Sequence, residues 1–355
     1  MSILDRYVVR AILGSVLLVL LVMLVLGGLV VFISQQGNIG MGHYTLADAL
    51  WFTLLNLPQQ AYQLLPITAL IGSLLGLGAL ARGSEITVIR ATGVSVPRLA
   101  ASALIAAGIL VAFEAVVGEF VAPQLQEVAN EQRAFSQYNT ISFGGGTGAW
   151  VRDGDLILNV ARQSGSRQFG GMQVFELSAR HQLLSIGHAT HATAAGHDRW
   201  LLENYTASRF EGDRVTARPP ARKVLHTHVS ASFLGFAVQD PQQMTVRSLW
   251  ALIGYLRANS LDASPYVFAF WSRIARIVAI VFAVLLAVPF VLGSMRSAGA
   301  GTRTLLGLAI GIFFFLLQRL IESGTIVFHL NPLILAWLPT ALLATVTLLL
   351  LASAR

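Results

Sequence analysis

The sequence contains no cysteine and only one lysine, Lys223. Without cysteine the chain has no disulfide framework, no zinc–thiolate site and no thiol nucleophile. That is compatible with an oxidising compartment but does not demonstrate one. The lone lysine follows no phosphate-binding loop: Gly144-Gly-Gly-Thr-Gly148 is glycine-rich but leads into no Lys-Ser/Thr pair and no helix start, so there is no Walker A motif. Work against a gradient would need an ATPase on another chain. Charge is also scarce, with 12% of 355 residues charged against 55% hydrophobic, far from an ordinary soluble domain. The net charge of +7 does not gather into a phosphate-tracking surface. Between Ala122 and Pro265, 13 basic residues stand against 11 acidic ones; elsewhere the count is 11 against 6, mostly at the ends of apolar runs. Basic residues in those places report membrane topology and argue against a nucleic-acid partner.

What the chain has is long apolar runs. A hydrocarbon core about 30 Å thick needs about 20 apolar residues in helix, and only helices or closed barrels satisfy their backbone there. Six stretches qualify: Ala11–Ile33, Ala61–Ala81, Leu99–Val121, Ile277–Gly293, Leu305–Phe328 and Leu333–Ala352. They divide three and three around a polar insert. This predicts an integral α-helical membrane protein with one inserted domain: residues 1–121 for the first three spans, 122–265 for the insert and 266–355 for the last three. The first run lacks a cleavage pattern and reads as an uncleaved anchor.

The short loops set the orientation. Arg6 and Arg10 precede the first span, Arg82, Arg90 and Arg98 lie between the second and third, and Arg296 and Arg303 between the fourth and fifth. The first-to-second and fifth-to-sixth loops carry no Lys or Arg. Positive-inside then places both termini in the cytoplasm and the insert outside.

The insert changes period. Trp150–Leu158 reads as two strands around an Asp153-Gly154 turn, and Met172–Leu177 alternates apolar with polar. His181–Ile186, Trp200–Tyr205 and Arg222–Val229 are further strands, which together favour an antiparallel sandwich, jelly roll or barrel. Val246–Ala258 has helical apolar spacing at Leu249, Leu252, Ile253 and Leu256, suiting either a connecting helix or one along the outer membrane face.

Several residues invite a chemical role. His188, His191 and His197, with His226 and His228 further on, suggest a metal, but no carboxylate completes a ligand pattern, and solvated strand histidines are the better reading. Glu114 and Glu119 fall in the third span. Charges there are costly, so Glu114, about 7.5 Å deeper at 1.5 Å per residue, should face protein or a cavity. Arg319 and Glu322 in the fifth span are three apart and either neutralise each other on one helix face or line a cavity. Ser84–Gly93 predicts a short cytoplasmic helix, capped by Ser84 and ended by Gly93, with Ile86 and Ile89 on one face and Glu85 and Arg90 beside it. It is either a capped turn or the kind of helix through which an ABC-transporter membrane subunit receives motion from its ATPase. Gly72-x-x-x-Gly76 and Gly307-x-x-x-Gly311 suggest close helix contacts.

At this point the chain resembles the LptF/LptG permeases of lipopolysaccharide export, most closely the LptG type. The resemblance rests on Leu4-Asp-Arg-Tyr7, Leu74-Leu-Gly-Leu-Gly78, Ser84-Glu85, Gly118-Glu-Phe-Val-Ala-Pro123, Tyr255-Leu256 and Trp271-Ser272, in that order along nearly the whole length. The stretch Ser84–Val88 also looks like the LptF type. The resemblance implies six helices carrying a periplasmic β-jelly roll in a bacterial inner membrane. It implies an LptF-type permease partner across a cavity that the first and fifth spans gate, a dimeric LptB-type ATPase that binds ATP and Mg, and LptC and LptA to receive the lipid. The chain itself would need no cofactor and catalyse no reaction. Glu85 matches the family's coupling carboxylate, and Arg133 matches a basic position at the cavity mouth that attracts lipid phosphate. Lysines carried by enterobacterial relatives after the first span are replaced around Val31, Gly37 and Asn38, and Asn130 replaces a neighbouring basic residue. Other readings are a permease for a different lipid or lipoprotein, and a membrane enzyme that modifies outer-leaflet glycolipid near Glu114 and Glu119 or in the β-domain.

Overall fold

The computed structural model describes residues 2–40, 43–137, 149–153, 155–165, 168–178, 182–194, 199–211, 214–227, 241–258, 262–292, 309–314, 316–318, 320–321 and 331–353. Among these residues, five helices are long and apolar enough to cross a membrane, and six strands form one antiparallel sheet. Met1–Gln36, Thr53–Gln126 and Thr245–Arg355 make one compact unit, and Gly37–Phe52 with Glu127–Met244 make a second.

Helix α1 (Ile3–Ser34) opens with a capping box: the Ser2 hydroxyl accepts from the Asp5 N–H, and the Asp5 carboxylate accepts from the Ser2 N–H. Val8, Ile12 and Val16 turn into the main apolar core with Leu70, Leu74 and Leu77 of α2 (Leu46–Arg82). Leu17, Leu21, Val25 and Leu29 stay exposed, a face that water would penalise and hydrocarbon would not. The two helices approach closely because Gly72 and Gly76 have no side chain. A Cβ on Gly72 would overlap Val16, and one on Gly76 would lie 2.6 Å from the Ala11 carbonyl oxygen. Helix α2 begins well before the apolar run at Ala61. Asn56, Pro58, Gln59 and Gln60 dilute its hydropathy, yet Thr53, Asn56 and Gln59 are buried.

The short helix α3 (Glu85–Ala91) corrects one expectation. Ser84 makes no side-chain cap. It adopts a left-handed conformation at φ 59° and donates its N–H to the Ala81 carbonyl, so it serves the end of α2. Gly93 does end α3: at φ 90° it donates to Arg90, and Val94 donates to Ile89, a Schellman closure.

Helix α4 (Val96–Val116) has Pro97 in its first turn and passes through a π-turn at Val117–Val121 into α5 (Ala122–Gln137). The helix therefore outlasts the apolar run that ends at Val121, because Gln124, Gln126 and Glu127 lower hydropathy without breaking helical geometry.

The sheet is a meander, β1 (Ala149–Asp153), β2 (Leu156–Gly165), β3 (Gln168–Leu177), β4 (Leu183–Ala194), β5 (Arg199–Glu211) and β6 (Arg214–His226), each strand pairing with the next. Trp150–Leu158 marks β1 and β2, and each later segment marks one further strand, but the strands run up to 13 residues; His181 and residues 228–229 lie outside the described residues. Pro219 and Pro220 are tolerated because β6 is an outer strand of the described sheet and its register slips there: Tyr205 faces Ala221 while Ala207 faces Arg218. Leu158, Val160, Met172, Val174, Ala189, Ala192, Trp200 and Leu202 supply the buried side chains. Gly187 leaves room for the Tyr205 ring, which a Cβ at that position would strike.

Helix α6 (Val246–Ala258) buries Leu249, Leu252, Ile253 and Leu256, the face its spacing predicts. Helices α7 (Ser264–Leu292) and α8 (Pro332–Ser353) are tied by hydroxyls: Thr340 donates to the Ala275 carbonyl at 3.1 Å and Thr347 to Phe282 at 3.3 Å. Of the fifth apolar run, residues 309–314, 316–318 and 320–321 are helical.

Candidate functional site

Two polar constellations stand out in the helical unit. The first lies at the start of α1. Asp5 is 4% exposed and accepts from Arg98 at 2.8 Å, from Ser102 at 2.7 Å and from the Ser2 hydroxyl at 2.9 Å. Arg98 also donates to Ser2 at 3.0 Å. These bonds fasten the beginning of α1 to the beginning of α4. Two residues after Asp5, the Tyr7 hydroxyl donates to Glu85 Oε2, joining α1 to the first residue of α3. Ile86 is buried in the main apolar core, whereas Val88 is exposed. Helix α3 is thus anchored by Ile86 and Glu85, with Ile89 and Arg90 on its remaining sides.

The second constellation is within the spans. Glu114 is 1% exposed, and among the described residues neither of its carboxylate oxygens has a hydrogen-bond partner. A bare buried charge would be very costly. Here the guanidinium groups of Arg276 and Arg273 on α7 act on it electrostatically. Arg276 stacks over the Tyr62 ring at 4.6 Å. Tyr62 can lie there because Gly118 has no side chain for the ring to strike. The π-turn then swings Glu119 to 4.0 Å from Arg273 and to 2.9 Å from the Val246 N–H, where its carboxylate caps α6. Local winding of this type recurs at functional positions. Two acidic and two basic side chains thus gather in an apolar setting, with Glu119 and Arg273 the pair in direct contact.

Sequence reasoning found Glu114 and Glu119 but missed Arg273, Arg276 and Tyr62. The apolar run of the fourth span begins at Ile277, just after both arginines, whereas α7 begins at Ser264. Their spacing of three inside an otherwise apolar stretch was the available signal.

In the second unit, the Arg133 guanidinium lies over the Phe52 ring at 5.1 Å. Arg133 also lowers, by its charge, what burial raises at Tyr44, whose hydroxyl nevertheless stays above its usual pKa. In the sheet, Lys223 donates to Glu176 at 2.6 Å and sits 4.8 Å from the Tyr205 ring centroid. Among the described residues no three His, Cys, Asp or Glu side chains gather as metal ligands. His188 is half-buried on β4 while His191 is exposed. Arg319, Glu322, His197, His228 and the glycine run at 144–148 lie outside the described residues, as do Arg296 and Arg303.

Comparison with known proteins decides the family. The profile of the lipopolysaccharide export system permeases LptF/LptG matches residues 6–353. The chain belongs to the LptF/LptG family. The lipopolysaccharide export system permease protein LptG of Escherichia coli strain K12 is 30% identical over 99% of this chain and 98% of its own length. The protein of the same name from Haemophilus influenzae is 26% identical over 96% of this chain and 95% of its own. Membership in the LptF/LptG family gives the motifs a structural basis. Leu4-Asp-Arg-Tyr7 supplies the Asp5 and Tyr7 contacts, and Gly118-Glu119 supplies the ring seat and the helix cap. Trp271-Ser272 immediately precedes Arg273.

Proposed function

We propose that this chain is a permease subunit of lipopolysaccharide export, with the family match over residues 6–353 as the carrying observation. It is a multi-pass membrane protein of the inner membrane with an inserted β-domain, and it works in a complex with other Lpt proteins. In finer terms, six spans hold both termini in the cytoplasm and a jelly-roll-like domain in the periplasm. An LptF-type permease completes an apolar cavity for the acyl chains, and LptC and LptA receive the lipid. Arg133 offers its guanidinium to a lipid phosphate, an interaction for which a planar fork is suited. Arg319 and Glu322 belong to the span that, with the first, gates the cavity.

A dimeric LptB-type ATPase supplies the energy, binding ATP and Mg itself, and α3 receives its motion through Glu85, Ile86, Ile89 and Arg90. Glu119 paired with Arg273, together with Glu114 and Arg276 beside them, holds the α4 π-turn against α7 while the cavity changes shape.

The test is isolation of the native complex, with its chains and lipid identified by mass spectrometry. A stoichiometric ATPase and bound lipopolysaccharide are expected. A different lipid or lipoprotein as the bound cargo would replace the substrate, and turnover of glycolipid by the isolated chain would replace export with enzymology.

A further inference from the structure

The motif Leu4-Asp-Arg-Tyr7 marks the family resemblance, but export as described so far leaves its tyrosine without a task. Its position supplies one. Asp5 is held by Arg98, Ser102 and Ser2 in a nearly closed set of hydrogen bonds, so the first turns of α1 cannot drift from α4. Tyr7 projects from this fixed turn, 48% exposed, and its hydroxyl donates to Glu85 Oε2 across 78 residues of sequence. That leaves Oε1 as the carboxylate oxygen without a hydrogen bond among the described residues. Gly83 lies beside it: a Cβ there would stand 3.1 Å from Oε1, so a side chain at this position would crowd the oxygen. One oxygen of Glu85 is therefore fixed and the other is left clear.

We propose that Tyr7 is a positioning residue for Glu85, holding the carboxylate so that Oε1 meets a cationic group of the cytoplasmic ATPase. The inference rests on the reading of Glu85 as the ATPase contact. A glutamate at the start of a seven-residue helix has three side-chain torsions to lose when it engages a partner. Tyr7 removes part of that loss beforehand, because its own base is immobilised through Asp5. The Tyr7 hydroxyl donates this hydrogen bond and Glu85 Oε2 accepts it. The same bond also ties α3 to α1, so a push delivered at Glu85 reaches the first span directly as well as through α2 and α4.

The experiment uses the full complex with its ATPase in nanodiscs containing lipopolysaccharide, and compares Tyr7→Phe, Glu85→Ala and the double variant. Tyr7→Phe keeps the ring and deletes only the hydroxyl. It should assemble normally, with an unchanged KM for ATP, yet release roughly ten-fold less lipid per ATP hydrolysed, the worth of about one hydrogen bond to a charged group. The double variant should be no worse than Glu85→Ala alone. If Glu85→Ala uncouples but Tyr7→Phe exports normally, or if Tyr7→Phe acts by preventing assembly, the positioning role is overturned. If Glu85→Ala itself exports normally, the underlying reading of Glu85 fails, and the role of Tyr7 fails with it.

Discussion

Glu119 accepts the Val246 N–H at 2.9 Å and stands 4.0 Å from Arg273, so one carboxylate joins the π-turn, the start of α6 and the fourth described span. Removing it costs a helix cap, about 1 kcal/mol, and also withdraws a counter-charge from a buried arginine. Glu119→Ala should therefore lower the melting temperature of the purified protein more than Glu119→Gln, which keeps an acceptor. Equal melting temperatures for the two variants and the wild type would show that neither contact matters.

The crossing of α1 on α2 depends on two missing side chains. Gly76→Val places a branched side chain against the Ala11 carbonyl and should prevent accumulation of folded protein in the membrane. Gly14→Ala and Gly108→Ala meet nothing within 4 Å and should be neutral or gain up to about 1 kcal/mol of helix stability. Immunoblots of membrane fractions separate these outcomes.

These two cases show what the sequence could and could not disclose. Gly72 and Gly76 were legible because small residues four apart in an apolar run have one common use. Gly93 was legible as a helix end. Ser84 misled, since a serine before a helix usually caps it with its hydroxyl, and only the backbone shows that this one joins two helices, its N–H donating to Ala81 and its carbonyl accepting from Val88. Helix ends were hidden wherever polar residues are buried, at Asn56 and Gln59 of α2 and at Arg273 and Arg276 of α7, because hydropathy measures the solvent a residue prefers and not the partner it has. The strands were visible but truncated, and Pro219-Pro220 disguised β6 until the register slip explained it.

The sheet should weaken with acid. Burial opposes ionisation of Glu176, but the hydrogen bonds from Lys223 and Ser185 and the charges of Lys223 and Arg209 outweigh it and hold the carboxyl below its usual range. Its stabilisation is full above the ordinary carboxylate pKa and is lost as pH falls through the lowered value. Burial also lowers the pKa of His188, so stability falls as pH drops below about 6.5, where the unfolded histidine takes up a proton that the folded one resists. Burial acts against the Lys223 charge, but Glu176 and Tyr205 raise its pKa above the usual value, so its contribution persists to high pH and is lost only through that raised value. Hydrogen exchange of β3, β4 and β6 in the intact protein, corrected for intrinsic rates, should show steady protection from pH 7 to 9 and declining protection from pH 7 to 5. His188→Gln should flatten the upper part of that decline.

The Arg133 guanidinium rests over the Phe52 ring, and its proposed role is to meet a lipid phosphate. Arg133→Glu should reduce photocrosslinking to lipopolysaccharide severalfold, and Arg133→Lys should restore it only in part, since an ammonium lacks the planar fork. Unchanged crosslinking in Arg133→Glu would remove this residue as a phosphate contact.

The central claim is that this chain moves lipopolysaccharide with energy from another subunit, and the most direct measurement is ATP-dependent lipid release from the reconstituted complex. The wild-type complex should release crosslinkable lipopolysaccharide to a soluble acceptor only with ATP and Mg, the isolated chain should hydrolyse no ATP, and Glu85→Ala should hydrolyse ATP without releasing lipid. Release without ATP, hydrolysis by the isolated chain, or full release by Glu85→Ala would contradict the account.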